Sequence, residues 1–172
     1  GTIARATTDS TAKPVGADFS VAGISSAPLF EELVAITDQD SPEFEPLVLR
    51  RTEEGIEPLW NMTLLQGVLS SYTYYQTRAT TLANWLGPNA ANPGLAYVDS
   101  TANGYGIARF SDKELRVSLV TVNNCRPDFT QTPAIAHTAH FSLPRWAPGG
   151  APQISGPVFE GGAPFPFEAP QV

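Results

Sequence analysis

Residues 104–122 read Gly104-Tyr105-Gly106-Ile107-Ala108-Arg109-Phe110-Ser111-Asp112-Lys113-Glu114-Leu115-Arg116-Val117-Ser118-Leu119-Val120-Thr121-Val122. Leu115, Val117 and Leu119 alternate with Arg116, Ser118 and Val120. Successive side chains of an extended chain point to opposite faces, so this alternation predicts a strand from Leu115 to Val122 with one apolar face. Gly104 to Phe110 also has strand composition, and Ser111 to Glu114 is a short polar connection. The two segments are therefore predicted to form an antiparallel hairpin. Leu95 to Asp99 before them and Ala136 to Leu143 after them read as further strands.

Working outward, residues 1–6 and 17–24 are strand candidates joined by the polar stretch 7–14, a second hairpin. Ser26 is placed to cap a short helix in which Leu29, Phe30, Leu33, Val34 and Ile36 form the apolar stripe. Glu31 and Glu32 sit near its N-terminus, where the helix dipole favours negative charge. Residues 38–57 are acidic and contain two prolines and a glycine, which predicts a surface loop. From Pro58 to Leu86, Trp60, Leu64, Val68 and Tyr72 recur every four residues, which predicts one long, buried helix ended by Gly87-Pro88-Asn89. From Pro144 onward proline and glycine exclude a helix or a central strand. The expected organisation is α+β, with a body at 1–143 and a Pro/Gly-rich tail at 144–172 packed on its surface.

Composition narrows the function classes. Of 172 residues 42% are apolar, enough for a folded core. No run approaches the roughly 20 apolar residues needed to span a bilayer. The net charge of -7 comes with no basic stripe, which argues against nucleic acid as a partner. Cys125 is the single cysteine, so no disulfide forms within the chain; it is either a buried thiol or a partner for a cysteine elsewhere. The chain opens on Gly1-Thr2-Ile3-Ala4-Arg5-Ala6, which reads as a strand already in progress. A processed product is the expectation, with an excised segment as the alternative.

The residues show no familiar catalytic constellation: no HExxH, GxSxG, phosphate-cradling glycine loop or paired-cysteine motif. His137 and His140 lie three apart in a predicted strand, so they should face opposite sides and cannot readily share a metal ion. Asp38 and Asp40 resemble the start of a calcium loop, but Pro42 and the missing glycine and closing glutamate argue against one. Glu43, Glu45, Glu53, Glu54 and Glu57 read as solvated charge. Asn61-Met62-Thr63 is a glycosylation sequon within a predicted helix, an unfavourable place for a glycan.

Four groups of segments, taken in order, resemble the C-terminal third of the alkaline phosphatase D (PhoD-like) family. Gly1 to Arg5 followed by Val15 to Ser26 is similar to two strands that in the family follow a Gly-Asp-Val-His metal-binding motif. Pro58 to Val68 is similar to a buried family helix. Asn92 to Asp99 with Asn103 to Phe110 is similar to a family strand pair. Phe141 to Trp146 and the tail resemble family members as well.

The resemblance implies a four-layer αββα metallophosphatase-like sandwich to which this chain contributes part of one sheet. It implies a secreted or periplasmic hydrolase of phosphate mono- or diesters that uses calcium and iron. The family's ligands would lie ahead of Gly1, and Cys125 does not correspond to its metal-binding cysteine. The chain is thus expected to hold no catalytic residue, metal or cofactor of its own, to be inactive alone, and to act with an N-terminal chain carrying the metals. Ser25 and Ser26, at the end of the strand leading from the motif, are the substrate-proximal candidates. Helix capping is the structural alternative for Ser26. The competing readings are a non-catalytic secreted binding module and a structural subunit. A self-sufficient module must cover the tryptophan-bearing helix internally, whereas a fragment leaves an apolar face for a partner.

Overall fold

A computed structural model describes residues 2–4, 14–24, 26–86, 92–123 and 134–167. Strands β1 (Thr2–Ala4) and β2 (Pro14–Ala17) are followed by helix α1 (Leu29–Gln39), a 3-10 turn at Pro42–Phe44 and α2 (Glu45–Val48). Next come β3 (Arg50–Thr52), β4 (Gly55–Glu57) and the helices α3 (Leu59–Gln66), α4 (Val68–Thr77) and α5 (Thr80–Leu86). The chain ends in β5 (Asn103–Phe110), β6 (Glu114–Val122), β7 (Ile135–Pro144) and β8 (Ser155–Gly161). Every strand pairing is antiparallel, so the protein is α+β with five α-helices among the described residues. It divides into two compact units whose segments alternate along the sequence.

The first unit comprises residues 1–25, 94–97 and 103–162. Its four-stranded sheet has the order β5-β6-β7-β8. The predicted hairpin is present, with Phe110 opposite Leu115 and Asn103 opposite Val122. One face buries Val117, Ala139 and Phe141 against Phe19, Tyr97, Leu115, Leu119, Ile154 and Phe159. Phe141 anchors this cluster, with the rings of Phe19 and Tyr97 each 5.7 Å away and edge-on, a favoured geometry for aromatic quadrupoles. Gly104 is required where β5 meets β6, since a Cβ there would lie 1.9 Å from the Val120 carbonyl oxygen. β8 lies within the Pro/Gly-rich segment and occupies an edge, where the donor that Pro157 lacks is not needed by a second neighbour.

Two strand expectations need correction in this unit. The second strand is Pro14–Ala17 and not 17–24; residues 18–23 form no ladder, and the Gly23 carbonyl accepts from the Asn103 side chain at 2.8 Å. Residues 95–99 are also not a strand.

The second unit comprises residues 26–93, 98–102 and 163–172. Phe30, Leu33 and Val34 of α1 pack with Val48, Leu49 and Trp60. Leu29 and Ile36, assigned to the same stripe, are exposed, because the buried face follows 30, 33, 34 and 37. A second cluster joins Leu59, Met62, Tyr74, Ala83 and Phe165. Leu59 and Met62 are fully buried, each contributing about 1.5–3 kcal/mol of apolar transfer. In residues 98–102 the backbone is turned by side chains: Asp99 accepts from the Thr101 N–H (3.0 Å) and hydroxyl (2.6 Å), and Asn61 accepts from the Ser100 N–H.

The single long buried helix expected from 58 to 86 is instead three helices. Gly67 adopts φ 104° and ψ 174°, a conformation essentially reserved for glycine, and Arg78 adopts a left-handed φ of 57°. A four-residue spacing counted across such a break no longer marks one face. Val68 and Tyr72 therefore emerge into solvent, while Ser70, Ser71 and Tyr74 turn inward. The hydroxyls of Ser70 and Ser71 are satisfied by carbonyls of Ala83 (2.8 Å) and Pro46 (3.2 Å).

Residues 38–57 are likewise not a loop: they hold the end of α1, the 3-10 turn, α2 and the β3–β4 hairpin. Their charges are paired. Arg50 and Arg78 both approach Glu57 at 3.5 Å, and Arg51 pairs with Asp38 and, at 3.8 Å, with Glu45. Ser26 is not the helix cap. Pro28 takes the N-cap position with extended backbone, and its carbonyl accepts from the Glu31 N–H at 3.0 Å.

Candidate functional site

Ser25 lies outside the described residues, as does Cys125. Ser26 is exposed, two residues ahead of the α1 cap.

The two histidines face opposite sides of β7, as their three-residue spacing implies. His137 is buried among aromatic rings, its Nε2 3.2 Å from the Tyr97 hydroxyl and its ring edge-on to Phe159. His140 lies on the other face, directly opposite Ser118 of β6. Ser118 Oγ is 3.0 Å from His140 Nδ1, and His140 Nε2 is 3.4 Å from a Glu160 carboxylate oxygen of β8.

The result is a serine–histidine–carboxylate line across three adjacent strands. The histidine can hold a proton between hydroxyl and carboxylate. A nucleophilic serine also needs backbone donors aimed at a developing oxyanion. Ser118 sits in mid-ladder between β5 and β7, where neighbouring amides are committed to strand pairing. The Glu160 side chain is 83% exposed, so water competes for the carboxylate. The line is a surface proton-holding group, and acyl-transfer chemistry lacks its second half here. Sequence reading passed over it because only the β6–β7–β8 register brings the three residues together.

In the second unit an open groove of about 560 Å³ is lined by Arg50, Arg51, Thr52, Glu53, Glu54 and Arg78. Arg50 is fixed by donating from Nε to the Tyr75 carbonyl at 3.2 Å. The Glu54 carboxyl is held below the usual carboxylate range, first by a backbone hydrogen bond, then by the Thr52 side chain, with smaller help from Arg78 and Arg50. The guanidinium charges are largely matched by carboxylates of the same unit, leaving a groove of mixed charge.

No group of three or more His, Cys, Asp or Glu side chains that could hold a metal ion occurs among the described residues. His137 and His140 point apart, and Asp38 is paired with Arg51, so these residues do not fit a calcium or iron centre. The Asn61 amide is fully buried, donating to the Phe165 carbonyl and accepting from Ser100, and cannot carry a glycan in the folded chain. No helix is long and apolar enough to cross a membrane among the described residues. Comparison with protein-family models, curated proteins and solved structures finds no match to the chain.

Proposed function

We propose that this chain is the C-terminal part of a secreted, metal-dependent phosphoesterase of the kind the PhoD-like resemblance implies, acting on phosphate mono- or diesters. In this reading its sheet is part of a four-layer sandwich, and an N-terminal chain supplies the calcium and iron ligands. One observation carries the need for a partner. Val68, Leu69 and Tyr72 on α4, with Leu82 and Trp85 on α5, are 41–75% exposed. Two consecutive helices thus present large apolar side chains to solvent, which a self-contained module would cover. The occupant is the metal-bearing chain, because the residues described here do not fit the metals that the reaction class uses.

The test is native mass spectrometry and metal analysis of the protein isolated from its source, with p-nitrophenyl phosphate and bis(p-nitrophenyl) phosphate as substrates. A complex with a larger calcium- and iron-bearing chain is expected, with activity lost on separation and regained on mixing. A lone metal-free chain without activity would overturn the proposal, as would hydrolysis by the isolated chain.

A further inference from the structure

The two edges of the four-stranded sheet differ. β8 is seven residues long, carries Pro157 and pairs with β7 through a register shift between His140 and Ser142. Such features blunt an edge against further pairing. β5 has none of them. Its eight residues contain no proline, pair with β6 in unbroken register and, among the described residues, meet no other strand.

Charge on the open face of β5 is also unbalanced. Arg109 lies directly opposite Arg116 of β6, a like-charge pair that disfavours the ladder. Arg116 is neutralised by Glu114, with Nε and Nη2 2.6 and 2.5 Å from the same carboxylate oxygen. Arg109 has no acidic partner among the described residues. A strand added on the outer side of β5 would put one of its residues opposite Arg109, at the short range where cross-strand charges interact. A second copy pairing through its own β5 could not answer this charge, since Asn103–Phe110 contains no carboxylate.

We propose that the outer edge of β5 is a strand-addition site that takes an extended segment of another polypeptide bearing an aspartate or glutamate opposite Arg109. It rests on the partner chain of the proposed function and names where that chain pairs with the first unit. Backbone hydrogen bonds supply the attraction, and Arg109 sets the register and excludes basic strands.

The test uses the whole chain and two synthetic peptides, Thr-Val-Thr-Val-Glu-Val-Thr-Val and the same sequence with lysine in place of glutamate. Amide exchange and nitrogen–proton spectra are read along β5. The glutamate peptide is expected to slow exchange at alternate β5 amides and to bind about fivefold tighter than the lysine peptide. Arg109→Glu, a change at an exposed position, should reverse that preference while exchange in β6 and β7 stays unchanged. Equal binding of both peptides, or no change along β5 with either, overturns the proposal. Protection of β5 that rises with protein concentration and without peptide overturns it too, because a second copy then fills the edge. Neither metal nor turnover is read, so this inference and the phosphoesterase proposal can fail separately.

Discussion

The side-chain amide of Asn61 donates to the Phe165 carbonyl at 2.7 Å, joining two residues 104 positions apart inside one hydrophobic cluster. Its oxygen accepts from the Ser100 N–H at 2.9 Å, so one buried residue holds α3 to two distant segments of the second unit. Asn61→Ala strands a buried carbonyl and a buried N–H together. The expected cost is about 2–4 kcal/mol by chemical denaturation, because each group keeps its desolvation penalty without a bond. Asn61→Asp retains the acceptor and loses the donor, and should still cost at least about 1 kcal/mol. Near-neutral behaviour of both variants would show that Asn61 does not hold these segments.

Gly67 separates α3 from α4 at φ 104°, while its N–H still donates to the Thr63 carbonyl at 3.0 Å. Gly67→Ala forces a side chain into a region that L-residues avoid, with an expected loss of about 1–3 kcal/mol. If the break were a frayed point in a continuous helix, alanine would stabilise the chain instead, by reducing unfolded-state entropy. The sign of the change, measured by thermal unfolding followed by circular dichroism, separates the two.

The first-unit sheet was largely legible because its signal is local. Strands β5, β6 and β7 each carry composition or alternation that no other element explains. The helical region misled because glycine inside a periodic pattern reads as a small penalty, whereas Gly67 reverses which residues face inward. Arg50, Arg51 and Glu57 hid a hairpin, since opposite charges that pair across two strands look like a solvated run in one dimension. Ser118, His140 and Glu160 were invisible as a group for a related reason: side chains on separate strands meet only once register is known. Asn61 drew notice as a glycan acceptor, while its actual contacts depend on residues 39 and 104 positions away.

Tyr75 donates its hydroxyl to Glu45 at 2.8 Å. Its pKa is raised, chiefly by that hydrogen bond, then by burial and by the Glu45 charge. The protonated form is therefore favoured in the folded state. This stabilisation is complete below the unfolded tyrosine value of about 10 and is lost as pH rises through the higher folded value. Tyr75→Phe should cost about 1 kcal/mol at neutral pH and flatten the alkaline limb of the stability profile. An ultraviolet titration of the wild type should show one tyrosine ionising late. The same late component in Tyr75→Phe would remove Tyr75 as its source.

The three tryptophans differ in exposure, and that difference reads the uncovered helix face directly. Trp85 on α5 is 75% exposed and Trp146 40%, whereas Trp60 is half-buried and packed against the cluster of Phe30, Val48 and Leu49. Acrylamide should quench the chain through Trp85 first, so Trp85→Phe should remove the most accessible component of the fluorescence with a stability change within about 0.5 kcal/mol. Leu69→Asp places a charge on the same exposed helix surface and should likewise leave folding intact. In the complex proposed above, Trp85 should become protected and its emission shift to the blue, and Leu69→Asp should abolish both changes through the cost of burying an unpaired carboxylate. If Trp85 stays fully quenchable in an active complex, the partner binds elsewhere and these helices face solvent throughout.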